Sequence, residues 1–275
     1  MKNVVFEKYK NIHDGKRVFL IANGPSLANT NLNLLKNEIT IGMNRVSLIY
    51  DKYPDWRPTY YLFSSTNVKN EIWGTSWLES VRKSISNNST TSFIAKMFKD
   101  VIDPYGNYKR ALWFDSMSEH KPLIDGTISE KCFSTDIVNR IDKSGTTMNL
   151  ALQLVYYMGF DEVIFVGADL GWKLDRGSES DPNHFDKSYR ANISNPYKAN
   201  HQMRNIHSLA LKKFSEREKE VNFYNASLET LLDIYPIIDF EKYIKGEKLM
   251  FQDDRLERAK KFWDKPPQFE GNIND

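Results

Sequence analysis

Residues 146–168 read TTMNLALQLVYYMGFDEVIFVGA, a helix pattern that runs straight into a strand pattern. Ser144 and Thr146 are capping types, and Gly159 suits the left-handed residue that ends a helix. Between them the segment is apolar almost all round, so it belongs between other elements and not on the surface. The apolar strand 162–168 follows at once. Similar β-rich runs recur as VFLIA (18–22), ITIGM (39–43), TYYLF (59–63), ALWF (111–114) and VNFYN (221–225), with helix-like patterns between several of them. Strands alternating with helices imply a mostly parallel sheet covered on both faces. The expected fold is therefore α/β: a doubly wound, Rossmann-like sheet with helices on both faces.

Two regions break the rhythm. Residues 171–200 are polar and rich in turn formers, and a loop of that length straight after a core strand reads as an active-site lid. Residues 241–275 form a charged tail in which DDRLERAKKFWDK (253–265) fits an amphipathic helix, serving the surface or an oligomer contact. The expected division is a nucleotide-binding catalytic domain over 1–240, with its lid, and a helical tail over 241–275. Hydrophobic residues make up 40% of the 275, enough for a substantial core, which excludes a disordered chain.

Charge excludes another class. The net charge is +2, and the basic residues are interspersed with acids, with no Lys/Arg cluster among aromatics, so nucleic acid is disfavoured as a partner. Cys132 is the only cysteine, which rules out an intrachain disulfide and argues against a cysteine metal site. No segment approaches the ~20 apolar residues that span a bilayer, and MKNVVFEKYKNIHDGK lacks the apolar run of a signal peptide. A cytoplasmic protein is expected, peripheral to a membrane at most and through its tail.

Four features fall where strands end. In open α/β sheets ligands bind beyond the carboxyl ends of the strands, and NGPSL (23–27) sits at that end of the first long strand. Gly24 would let a ligand approach the backbone, Pro25 fits a first helical turn, and Asn23 and Ser26 offer polar side chains beside free N–H groups that favour an anion. The spacing is neither G-x-G-x-x-G nor a Walker loop. The same turn would serve as a plain strand-to-helix connection. The second strand ends in GMNR, placing Asn44 and Arg45 on the same rim. Ser144, Gly145 and Thr146 would present hydroxyl and backbone donors, or simply cap the helix. Asp169 closes a core strand, where an acid is costly unless used; hydrogen bonds from ribose or base, a metal, or a structural role would each use it.

Taken together and in this order, IANGPSL, GMNR, SGTTMNLALQLVYYMGFDEVIFVGADLGW and HFDKSY with a following His-containing helix resemble one superfamily. It includes the small bacterial sialyltransferases that use CMP-sugar donors and the motility-associated factors that glycosylate flagellin. The archaeal 6-hydroxymethylpterin diphosphokinases share its Rossmann-like core. The resemblance covers roughly residues 17–230. It implies a nucleotide cradled by Asn23, Gly24, Ser26 and Asn44, with donor contacts at Ser144 and Gly145. In the sialyltransferases a His before the last core helix is the general base, and the match falls on His201. A neutral imidazole suits proton removal near pH 7. His207, six positions on, lies about 240° round a helix and would not join it.

Tyr189 in the lid would donate its hydroxyl to the departing phosphate, and Trp172 would stack on a base or sugar. His184 and Asp186 would fold the lid rather than hold a metal. The chain also departs from the pattern. Arg140 and Lys143 stand near the Ser-Gly turn but not at the sialyltransferase arginine's spacing, and Ser64, Ser65 and Thr66 stand where those enzymes carry an Asn. Residues 65–135 match none of these marks and would be free to form an acceptor-binding subdomain.

The resulting expectation is an inverting glycosyltransferase. It would move a nonulosonic-acid-type sugar from a CMP donor to a glycan or protein acceptor, with no metal or other cofactor, either alone or as a homo-oligomer. One alternative is an ATP- and Mg²⁺-dependent diphosphokinase using Asp169 with Asp175 or Asp186. The other is a nucleotide-sugar-binding module without catalysis.

Overall fold

The computed structural model describes residues 2–65, 69, 74–117, 128–171, 175–176, 179–190, 194–195, 200–227, 230–247 and 254–263. Its centre is a seven-stranded sheet in which every neighbouring pair is parallel. The strands are β1 (Arg17–Ile21), β2 (Thr40–Met43), β3 (Tyr60–Phe63), β4 (Thr91–Ala95), β5 (Ala111–Phe114), β6 (Glu162–Val166) and, last in the sheet, β9 (Asn222–Asn225). Two short strands, β7 (Asp175–Arg176) and β8 (Ser194–Asn195), pair antiparallel in a separate ribbon within the 171–200 insertion.

Spatial order is β5-β4-β3-β2-β1-β6-β9. The chain steps outward from β1 to β5, then returns to lay β6 on the other side of β1, with Ile21 between Gly42 and Val166. The direction of winding thus reverses between β1 and β6, and such a reversal opens a crevice beyond the strand ends. Residues at every position of β2 and β3 are buried, so both faces of the sheet are covered, as the near-continuous apolar runs require.

The helices are α1 (Gly74–Ile85), α2 (Lys99–Ile102), α3 (Thr147–Met158), α4 (Asn200–Ser215), α5 (Phe240–Ile244) and α6 (Asp254–Trp263). α3 starts and stops where its residues say it should. The Thr146 side chain accepts the Met148 N–H, and Gly159 takes φ +84°, a conformation costly for any residue with a Cβ. Its two fully buried amides do a separate job. Asn149 donates to the carbonyls of Cys132, Asp142 and Ser144, and Gln153 accepts the N–H groups of Ser134 and Asp142. They satisfy the backbone of the loop before α3, which would otherwise be buried unpaired.

Residues 65–135 are not a separate subdomain in their described part, because β4 and β5 extend the main sheet. TSFIA (91–95) carries too short an apolar stretch, behind the turn formers NNST, to stand out as a strand. In the structure Phe93 and Ile94 are fully buried, and Phe93 stacks on Phe6 at 5.2 Å. The partner ring comes from the N-terminal 3-10 segment Val4–Tyr9.

Candidate functional site

A cleft of about 530 Å³ opens beyond the carboxyl ends of β1, β2 and β6, at the winding reversal. Its floor is made by two loops fastened to each other. The Gly24 N–H donates to the Gly167 carbonyl at 2.8 Å. The Asp169 carboxylate accepts the Ser26 N–H at 2.7 Å and the Ser26 hydroxyl. An acid at a strand end is tolerated here because it caps the 3-10 turn Pro25–Asn29 from across the sheet. Gly24 has ordinary backbone angles (φ −69°), so left-handed freedom is not why it is glycine. A Cβ there would lie 2.5 Å from the Asp169 Oδ2 and 2.6 Å from the Gly167 carbonyl oxygen. The glycine serves the approach of the β6 loop as well as of any ligand.

On the β2 side, Asn44 holds φ +53°. Its carbonyl accepts the Tyr61 hydroxyl at 2.6 Å, and its Oδ1 accepts the Thr147 hydroxyl at 3.1 Å. Asparagine is the residue other than glycine that bears this conformation most readily, and such strain gathers at binding sites. With Oδ1 so held, the Asn44 amide NH₂ is the group left for the cleft. Asn23 donates from Nδ2 to the Met43 carbonyl at 3.2 Å, and its Oδ1 is buried without a hydrogen-bond partner among the described residues.

The described part of the insertion, residues 179–190, folds back over these loops. The Phe185 N–H donates to the Asn23 carbonyl at 3.1 Å. His184 Nδ1 pairs with Asp181 at 2.7 Å, while Asp186 accepts the N–H and hydroxyl of Ser188. The lid histidine therefore pairs with Asp181 and not with Asp186. Its ring lies flat on Tyr189, 3.9 Å between centroids at 4°. Arg45 donates to the carbonyls of Ser188 and Tyr189 and sits 5.6 Å over the Tyr189 ring, so this rim cation holds the lid. Burial lowers the His184 pKa despite Asp181, and burial raises that of Tyr189. The Tyr189 phenol stays protonated and remains a donor.

The sequence-derived candidates divide accordingly. Asn23, Gly24, Pro25, Asn44, Thr146, Asp169 and Tyr189 all line the cleft. Ser26 stands behind the floor on Asp169. Ser65, Ser144, Gly145 and His201 are not among the lining residues. Ser144 is buried, with its N–H on Asp142 and its hydroxyl beside the Cys132 thiol. Gly145, at φ +80°, packs against Gln202 and Ile206 of α4, which would lie 3.2 Å from a Cβ. His201 meets Trp263 of α6 edge-on at 5.1 Å, and burial together with Arg204 lowers its pKa. Trp172 lies outside the described residues.

Several solved structures are similar to this chain at low identity. The chain is similar to the sialyltransferase CST-II in complex with CMP, at 15% identity, covering 80% of this chain and 84% of that one with a TM-score of 0.44. It is likewise similar to the monofunctional α-2,3-sialyltransferase Cst-I of Campylobacter jejuni, at 16% identity, covering 81% and 80% with a TM-score of 0.45. No protein-family model matches the chain, and no curated protein sequence does.

Residues assigned no site role from the sequence complete the cleft: Met43, Met148, Leu170, Asn183, Met203, Leu231 and His207, which lines it where His201 does not. Met203 and His207 are one turn apart on α4, so an i, i+4 pair of a cleft-facing row was present in the sequence. His207 Nδ1 bonds the Tyr235 hydroxyl at 3.0 Å, and burial drives its pKa down to about 3. Among the described residues no three His, Cys, Asp or Glu are grouped to hold a metal ion. Of the aspartates weighed for Mg²⁺, Asp169 is engaged by Ser26 and Asp186 by Ser188, and the Asp175 side chain lies outside what the structure describes. No described helix is long and apolar enough to cross a membrane.

Proposed function

We propose that this chain is an inverting glycosyltransferase that moves a nonulosonic-acid-type sugar from a CMP-activated donor to a glycan or protein acceptor. The observation that carries the reading is the cleft at the β1/β6 reversal, where Asn23, Gly24, Asn44, Thr146, Asp169 and Tyr189 meet beneath the 179–190 lid. Asn23, Gly24 and Asn44 are positions that the motif resemblance marks for the nucleotide, Thr146 and Asp169 are rim positions read from the strand ends, and Tyr189 is the lid tyrosine.

Chemically, the C–O bond between sugar and phosphate breaks as the acceptor oxygen attacks from the opposite face. The electron pair of the broken bond stays on the CMP phosphate. The α3 N-terminus, capped by the cleft residue Thr146, turns a positive dipole end toward that phosphate, and the Tyr189 hydroxyl donates to it. His201 takes the acceptor's proton. Its pKa, lowered from the ordinary value, keeps it unprotonated at neutral pH, and an acceptor it served would approach from the α4–α6 side, next to the cleft. The lid, fastened to Asn23 and Arg45, excludes water from the donor.

Calorimetry with CMP, CDP and ATP, each with Mg²⁺ and with EDTA, tests the donor class. CMP binding that survives EDTA is the expected result, and binding of ATP with Mg²⁺ alone refutes the proposal. His201→Ala should then lower turnover by about 10²- to 10⁴-fold with CMP affinity unchanged. An active His201→Ala variant removes His201 from the mechanism.

A further inference from the structure

His207 is placed where an ordinary catalytic histidine could not work. It is 4% exposed, lies on the cleft wall, and is enclosed by Phe165 at 5.2 Å and Tyr235 at 5.5 Å between ring centroids. Tyr235 is the titratable group in contact with it, and no charged side chain contributes to its pKa. A cationic imidazole would be uncompensated there, so the ring is neutral across the physiological range.

A neutral imidazole carries one proton, and the hydrogen-bond pattern says where. The Tyr235 phenol is fully buried, burial holds its pKa well above the ordinary value, and its hydroxyl meets His207 Nδ1 as its hydrogen-bond partner among the described residues. A buried hydroxyl that only accepted would leave its own proton unsatisfied, which is costly away from water. The phenol therefore donates, Nδ1 accepts, and the imidazole proton sits on Nε2. Nε2–H is then the polar group the side chain has left for the cleft. Beside it, one turn earlier on α4, lies the apolar Met203, and Leu231 lines the same cleft.

We infer that His207 is a specificity residue: its neutral Nε2–H, oriented by Tyr235, donates to an uncharged carbonyl oxygen of the bound donor, set in an apolar part of the cleft wall. An anion is the wrong guest for this position, because one neutral hydrogen bond does not repay the desolvation of a carboxylate or phosphate. An amide or keto carbonyl beside an apolar surface fits. Two parts of a CMP-activated acylamino sugar carry one, the pyrimidine ring and the N-acyl group. The inference rests on the cleft being the donor site.

Long-range proton–nitrogen NMR of the full chain labelled with ¹⁵N-histidine reads the tautomer directly, with His207→Gln used for assignment. The free protein at pH 7 should show protonated Nε2 and unprotonated Nδ1. Protonated Nδ1, or an imidazolium, overturns the inference before any ligand is added. CMP and free N-acetylneuraminic acid are then titrated separately. A shift of the His207 Nε2 resonance with CMP assigns the pyrimidine carbonyl, and a shift with the acylamino sugar acid alone assigns the N-acyl group. His207→Phe should weaken the ligand that shifts it about five-fold, the factor of one neutral hydrogen bond of about 1 kcal/mol, and His207→Gln, which keeps an N–H donor, should weaken it less. If CMP binds calorimetrically and neither probe moves Nε2, the inference fails while the donor site stands. If neither probe binds at all, the donor reading fails and takes the inference with it.

Discussion

Gly24→Ala is the sharpest test of how the cleft floor is built. The added methyl carbon would sit 2.5 Å from Asp169 Oδ2 and 2.6 Å from the Gly167 carbonyl oxygen, in a backbone whose φ of −69° suits alanine without strain. Any loss is therefore steric. Overpacking of this kind costs about 1–3 kcal/mol. Unfolding entropy of about 2.1 cal/mol/K per residue, taken over a chain of 275 residues, converts that to a fall in melting temperature of roughly 2–5 °C. The second contact is with backbone, so shortening Asp169 cannot relieve it. The double variant Gly24→Ala with Asp169→Ala should stay at least as unstable as Gly24→Ala alone. Differential scanning calorimetry of the four proteins in the cycle, with CMP titrations alongside, measures this. A Gly24→Ala protein that melts with the wild type and binds CMP equally well would refute the clasp between the β1 and β6 loops. A double variant restored to wild-type stability would show that Asp169 alone, and not Gly167, sets the space.

Three other outcomes are expected. Asp169→Asn keeps the shape but replaces one of the two oxygens that accept from Ser26; it should cost about 1.5–3 kcal/mol, the range of charge-assisted hydrogen bonds, read by urea denaturation, and a cost near zero would mean the cap does not stabilise the turn. Trp263→Ala removes both the ring against His201 and the indole N–H that donates to the Leu231 carbonyl at 2.6 Å; the His201 pKa should rise toward its ordinary 6.5 as water reaches the ring, and an NMR titration that finds it unmoved or lower contradicts the contact. His207, with its folded-state pKa lowered to about 3 from 6.5, takes up no proton on acidification while the unfolded chain does. Its contribution to stability is fully present above pH 6.5 and is lost as pH falls toward 3. His207→Phe should flatten that part of the acid stability profile, and an unchanged slope would mean that the imidazole is not neutral in the fold.

Much of the fold was legible because burial leaves a plain mark on residue type. A helix sandwiched between layers and a strand covered on both faces must be largely apolar, and residues 147–166 are, with Asn149 and Gln153 engaged by the preceding loop and Asp161 and Glu162 at the turn into the strand. The ends were legible for the same kind of reason: Thr146 and Gly159 answer local backbone needs that no distant residue alters. β4 escaped notice because TSFIA is short and follows turn formers, and only Phe6, arriving from the far N-terminus, shows why it is buried. Part of the cleft was legible as well, since loops after parallel strands meet at the winding reversal whatever their detail.

What lay beyond the sequence was which way side chains turn. Arg45 and Asn44 are neighbours on one rim, yet one holds the lid and the other faces the cleft. Gly24 is glycine for a contact with residues 143 and 145 positions away. His201 and His207 share a helix, and the fold gives Trp263 to one and the cleft to the other. Local composition, capping and periodicity are properties of a segment and can be read from it. The direction of a side chain, the pKa of a histidine and the partner of an aspartate depend on what packs against them from elsewhere in the chain, and those neighbours exist only once the sheet has closed.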